Sequence, residues 1–274
     1  MTAAALTERP TLVPIADKAL RVSAVSWFLA ALAGQAAFAT YVALFYGGAA
    51  ARGDFLKWND ILVGGYVVGG TMGNMVLAAH LLLAVVITVG GPLQLIPALR
   101  ARALPFHRWN GRLYIVTAFA ISLAGIYMVW TRGTAGGLAM KAGISLNGLL
   151  ILACAALAWR NVLARRLDAH RRWALRAFIL VSGVWFFRVG LMFWILANRG
   201  PVGIGDDFDG PFVRFWAYGC YLVPLAVLEF YLRAKDGTGP AGKLTMAGLL
   251  FLVTACTAVG VLGAAVGMWL PRVV

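Results

Sequence analysis

Long apolar stretches, alternating between turns rich in arginine and turns poor in it, dictate what this chain can become. Seven of them run at about 22–47, 74–99, 112–130, 143–159, 174–197, 213–232 and 245–269. Crossing the roughly 30 Å hydrocarbon core of a bilayer takes about 20 apolar residues in a helix. The expected fold is therefore all-α: an integral membrane helical bundle of about seven transmembrane helices. The fourth stretch is short. The second carries Pro92 and Pro97, which a membrane helix tolerates where neighbours or water take up the freed carbonyls.

Composition agrees. The chain is 62% hydrophobic and 12% charged, about half the charge of a typical soluble domain. It holds 32 glycines, and small residues let helices approach closely in lipid. Ten Trp and eight Tyr supply interfacial anchors. A net charge of +14 would point to nucleic acid in a soluble protein. Here the basic residues interrupt apolar runs instead of forming a stripe, so they read as topology signals and no nucleic-acid partner is expected.

Placing the N-terminus in the cytoplasm puts 16 of the 24 Lys and Arg on the inner side and seven on the outer, with Arg188 inside a span. The positive-inside rule thus favours N-in, C-out. Asp54, Asp60, Asp206, Asp207 and Asp209 fall outside in agreement. Residues 1–21, with Glu8, Arg9, Pro10, Pro14 and Asp17, form a polar cytoplasmic segment. They lack an apolar core followed by a cleavage site, so no cleaved signal peptide is expected. Residues 22–274 then make one bundle domain. The outer segment 48–73 is long and semi-apolar, and either lies along the interface or dips into it.

Chemistry-bearing residues are few. Cys154, Cys220 and Cys256 lie inside apolar segments with no metal spacing between them and read as small packing residues. Asp206-Asp207-Phe208-Asp209 lacks a calcium-loop pattern. No HExxH, GxGxxG, Walker A, GxSxG or CxxCH motif occurs, so the familiar enzyme classes gain no support.

Two of the three histidines sit in similar settings, Phe106-His107-Arg108-Trp109-Asn110-Gly111-Arg112-Leu113-Tyr114 and Ala169-His170-Arg171-Arg172-Trp173. Each opens a span from the inner side after an Arg-rich turn, as in a loosely repeated hairpin. Cations at a helix N-terminus oppose the macrodipole, so something negative should offset them. Free N–H groups and guanidinium forks suit a phosphate, a carboxylate or a haem propionate. Lipid phosphates together with the positive-inside requirement account for the same pattern.

His80 lies about 9 Å into the second span at 1.5 Å per residue. On a helical wheel it shares a face with Ile87 and Gln94, with Gly91 close by. Arg188 sits at a comparable depth in the fifth span, where an arginine costs about 2.5–3.5 kcal/mol and calls for a partner. The wheel puts His170 and Arg188 on one face. Glu229 lies nearer the inner end, too far in depth to pair with Arg188. Two polar layers result, His80 with Arg188 outside and His107, His170 and Glu229 inside. Polar glue between helices is the plainer account of both.

With those residues in view, the stretch from His80 to Arg176 resembles an uncharacterised family of bacterial predicted membrane proteins, domain-of-unknown-function family 2306. The likeness rests on His80, Gly91-Pro92-Leu93-Gln94, the Arg100/Arg102 turn and the run from His107 to Tyr114, extended by His170-Arg171-Arg172-Trp173 and Arg188. It implies a helical bundle in a bacterial inner membrane and no established activity. A looser similarity is to the cytochrome b561 type of dihaem protein, whose helical histidines ligate haem b near each membrane face. That pattern needs four axial histidines, and this chain has three.

Three functions follow as expectations. The first is binding or transport of an amphiphile or anion (a lipid head group, a quinone or a carboxylate) at His80, Gln94, Arg188, His107, Arg108, Arg112, His170, Arg171 and Glu229. The second is a redox protein in which His107 and His170 ligate one haem b as metal ligands. The third is an accessory subunit, with Gly248, Gly260, Gly263 and Gly267 as a packing face. Membrane lipid is the one partner expected under all three, and an enzyme using His as acid or base has no motif behind it. The orientation is checked by reporter fusions. Alkaline phosphatase fused at the C-terminus should be active and the same reporter in the 164–166 turn silent; the reverse pattern would contradict N-in, C-out.

Overall fold

The computed structural model describes residues 9–273, with side chains described from Leu12. Glu8 and the remainder of residues 1–8 lie outside the described residues, as do the side chains of Arg9 and Pro10. All regular structure among the described residues is helical. The elements are α1 (Arg9–Val42), α2 (Gly48–Ala51), α3 (Thr71–Leu95), α4 (Pro97–Arg102), α5 (Leu104–Thr131), α6 (Gly137–Leu163), α7 (Leu167–Val181), α8 (Gly183–Ala197), α9 (Pro211–Gly237) and α10 (Pro240–Ala264). A π-helical turn, Ala43–Gly47, joins α1 to α2, and another, Ala265–Trp269, extends α10.

Six of these helical stretches are long and apolar enough to cross a membrane, and α7 with α8 makes a seventh if the pair is one span. The chain is thus a multi-pass helical membrane protein. α3 lies on α5, α5 on α6 and α6 on α7, while α1 lies along α10 and α10 along α8. The turns between α3 and α5 and between α6 and α7, with the start of α10, gather at one end, which we call the basic end.

The first helix begins at Arg9, so residues 9–21 run directly into the first span. Asp17 on this extension holds Lys243 at the start of α10 at 2.6 Å. The short fourth stretch is a full helix of 27 residues, since Lys141 and Arg160 continue it past the apolar window at both ends. The fifth stretch is broken by 54° between α7 and α8.

That break occurs without proline. Ser182 sits at φ −72°, ψ 0°, which turns the chain out of helical register. In hydrocarbon an unmet backbone group costs several kcal/mol, and here side chains attend to the break. Asn147 of α6 donates to the Leu180 carbonyl at 3.1 Å. Ser182 Oγ donates to the Phe178 carbonyl at 2.8 Å and accepts Gln35 Nε2 of α1 at 3.0 Å. A Cβ on Gly183 would stand 2.8 Å from Asn147 Nδ2, so glycine is what lets α6 reach the break.

Segment 48–73 folds into short helical turns and tight bends tied to neighbouring helices. The indole of Trp58, which is buried, donates to the Tyr46 carbonyl at 3.1 Å. Arg132, at the end of α5, donates to the carbonyls of Gly64, Gly65 and Gly70 and, at 2.8 Å, to Asn74 Oδ1.

The glycines of α10 are largely consumed within the chain. A Cβ on Gly260 would lie 2.3 Å from the Val189 carbonyl of α8, and Gly263 and Gly267 face Met192 and Leu196. Only Gly248 of that set meets open space. Gly260→Ala should therefore force α8 and α10 apart, costing about 1–3 kcal/mol as overpacking does. Gly248→Ala should be neutral or stabilising by about 0.5–1 kcal/mol, through the helix preference for alanine. Thermal unfolding in detergent reads both, and equal effects would contradict this packing.

Candidate functional site

The two His-Arg runs begin two helices in the same way. His107 is the fourth residue of α5 and His170 the fourth of α7. Pro105 in the first turn of α5 presets the backbone and needs no amide partner there. Asp168 in the first turn of α7 complements the helix dipole.

α5 is sewn to the end of α3 beside His107. Gln94 Nε2 donates to the His107 carbonyl at 3.1 Å, and Asn110 Nδ2 to the Gly90 carbonyl at 2.9 Å. A Cβ on Gly91 would stand 3.1 Å from both the Tyr114 and the Phe178 rings, so α3, α5 and α7 meet at that glycine. Within this junction His107 Nδ1 and Tyr114 Oη are buried without a hydrogen-bond partner.

His170 faces α6, its Nδ1 2.9 Å from the Ala158 carbonyl. The two histidines stand on different helices, His107 beside the end of α3 and His170 against α6. Arg108, Arg112 and Arg171 are exposed, and the Arg112 guanidinium lies 5.0 Å from the Trp109 ring.

Glu229 holds Arg176 of α7 through two hydrogen bonds, Nε to Oε1 at 2.6 Å and Nη2 to Oε2 at 2.9 Å. Arg176 also stacks over Trp173 at 4.6 Å. Nearer the basic end, Asp236, two turns further along α9, pairs with Arg172, one turn back along α7. Arg176 is absent from the sequence-derived set because its pairing depends on how α7 and α9 face each other, which the spacing along either helix does not show.

The outer layer does not come together. His80 packs on α5, its Cε1 3.5 Å from where a Gly125 Cβ would stand, and its Nδ1 is buried and unpartnered. Arg188 turns toward α1, its guanidinium 5.3 Å from the Phe38 ring and its Nη1 on the Val184 carbonyl at 3.1 Å. Phe38 belongs to an aromatic cluster with Tyr41, Phe45, Tyr46 and Trp269. The partner of this half-buried arginine is the face of the Phe38 ring, and among the described residues no carboxylate pairs with it. The shared face read for His170 and Arg188 does not survive the bend at Ser182, which interrupts the wheel.

Among the described residues no group of three or more His, Cys, Asp or Glu could hold a metal ion. The sequence model of a predicted-membrane-protein family, DUF2306, matches residues 77–232. The chain belongs to that family. No curated protein and no solved structure matches the chain. The DUF2306 region runs from within α3 through most of α9 and so contains both histidine turns, His80, Arg188 and the Arg176–Glu229 pair. The partnership of α1 with α10 is formed by helices outside it.

The Arg176–Glu229 pair is only partly exposed, at 20% and 34%, so removing one member strands a charge in a poorly solvated place. Arg176→Met or Glu229→Met alone should destabilise by about 1–2 kcal/mol after discounting for solvent. The double replacement should cost clearly less than the two single costs added together. A double-mutant cycle on thermal unfolding measures this, and simple additivity would contradict the pairing.

Proposed function

We propose that this DUF2306 protein binds a small molecule through an anionic head, a phosphate or a carboxylate, where α5 and α7 begin. His107, His170, Arg108 and Arg171 are the head-group residues in this reading. The observation that carries it is an imbalance of charge: both acidic residues on the facing helix, Glu229 and Asp236, are already engaged by Arg176 and Arg172. The cations nearer the helix starts have no carboxylate partner among the described residues. Asp168 is the one acidic residue in the first turns of α5 and α7, and helix N-termini with more cations than acids favour an external anion. The buried, unpartnered Nδ1 of His107 adds a polar atom in want of a ligand.

Binding is favoured over transport. Gln94 is committed to the His107 carbonyl, and His80 and Arg188 face different helices, so these three residues do not line a common path. With the N-terminus in the cytoplasm, the head-group site opens to the cytoplasmic side of a bacterial inner membrane. An accessory role loses its motive, because the glycine face of α10 is spent on α8.

A second reading has one observation in its favour. The contact between His170 Nδ1 and the Ala158 carbonyl is of the kind that orients a ligating histidine, leaving Nε2 for a haem b iron shared with His107. An absorption spectrum of purified protein decides it, since a haem protein must show a Soret band.

For the anion reading, protein extracted gently in detergent should carry a phosphate- or carboxylate-headed small molecule in native mass spectrometry. The His107→Ala/His170→Ala variant should retain at least tenfold less of it at unchanged melting temperature. Equal retention would overturn the assignment.

A further inference from the structure

The faces of α5 divide the labour. His107, Asn110, Gly111 and Tyr114 turn toward α3 and α7, whereas Val116 is exposed with Ile115 and Phe119 half-buried beside it. These three form, with Ala156 and Trp159 of α6, an open groove of about 380 Å³ lined by apolar side chains. Val116 is 66% exposed and Trp159 39%, so the groove faces the lipid and not the bundle interior.

Toward the basic end the two helices that form it carry Arg112 and Arg160. Arg112 precedes Ile115, Val116 and Phe119 by three, four and seven residues, the spacing that keeps side chains on one helical stripe. Arg160 follows Ala156 by four and Trp159 by one on the antiparallel α6. Both arginines are exposed, and neither has a carboxylate partner among the described residues. From Arg112 to Phe119 the stripe spans about 10 Å at 1.5 Å per residue, which sets an alkyl chain alongside two cations at head-group depth.

We propose that this groove is a specific site for one anionic phospholipid of the surrounding membrane, its acyl chain on Ile115, Val116, Phe119 and Trp159 and its phosphate held by Arg112 and Arg160. Charge complementarity selects the occupant: a groove serving any lipid needs apolar walls, but not a pair of unneutralised guanidinium groups toward its basic end. Arginine suits phosphate because its planar fork donates two parallel hydrogen bonds. The site stands independently of the head-group site at His107 and His170, on a different face of α5.

The test uses the full chain in mild detergent, with dioleoyl phosphatidylglycerol and dioleoyl phosphatidylcholine as probes in native mass spectrometry. Phosphatidylglycerol should be retained in preference, by about fivefold for each arginine engaged. Arg112→Gln/Arg160→Gln should bring its retention down to that of phosphatidylcholine. Val116→Trp, which fills the groove from an exposed position, should lower retention of both lipids. His107→Ala/His170→Ala should leave the preference intact, so loss of one site is distinguishable from loss of the other. Equal retention of the two lipids by the unaltered protein, or a preference that survives loss of both arginines, would overturn the proposal.

Discussion

The absence of water from the bilayer core is the constraint on which the rest of this structure depends. A backbone that bends there must find its hydrogen bonds within the protein. The 54° break between α7 and α8 therefore draws in Gln35 from α1 and Asn147 from α6. Those two side chains explain why α7 can tilt away from α8 without proline. The tilt in turn sends His170 and Arg188 to different surroundings. A straight fifth helix would have stacked them on one face.

The same scarcity of solvent governs charge. The acidic residues of α9 are placed to meet Arg172 and Arg176, and Arg188 settles on the Phe38 ring within its aromatic cluster. Each solution uses partners available at its own depth. At the basic end arginines outnumber the acidic residues, of which Glu229, Asp236 and Asp17 are already paired. The functional reading grows from that shortage, since phosphate and carboxylate heads are the anions a membrane surface offers in quantity.

Much of the fold was legible in the sequence because hydropathy and span length are first-order terms in lipid. The membrane bundle and the family resemblance both rested on such patterns, and the family match extends the likeness to residues 77–232. His80 and Gln94 of α3 both reach α5, since one unbroken helix keeps its period. What could not be read were features set by two helices at once. The Ser182 break carries no proline signal, and Gly183 acquires its meaning only from Asn147 on another helix. Segment 48–73 was undecidable because Arg132, more than 60 residues away from most of its partners there, organises it. Glu229 was assigned to a polar site for the same reason: its match with Arg176 depends on how α7 and α9 face each other.

The central claim is that the starts of α5 and α7 hold an anion that the protein itself does not supply. A cryo-electron microscopy map of the protein in nanodiscs of native lipid would test it most directly. The account predicts density for a phosphate or carboxylate head within hydrogen-bonding distance of His107, His170 or their flanking arginines. A well-ordered helix junction at that place, with those side chains resolved and only water beside them, would contradict it.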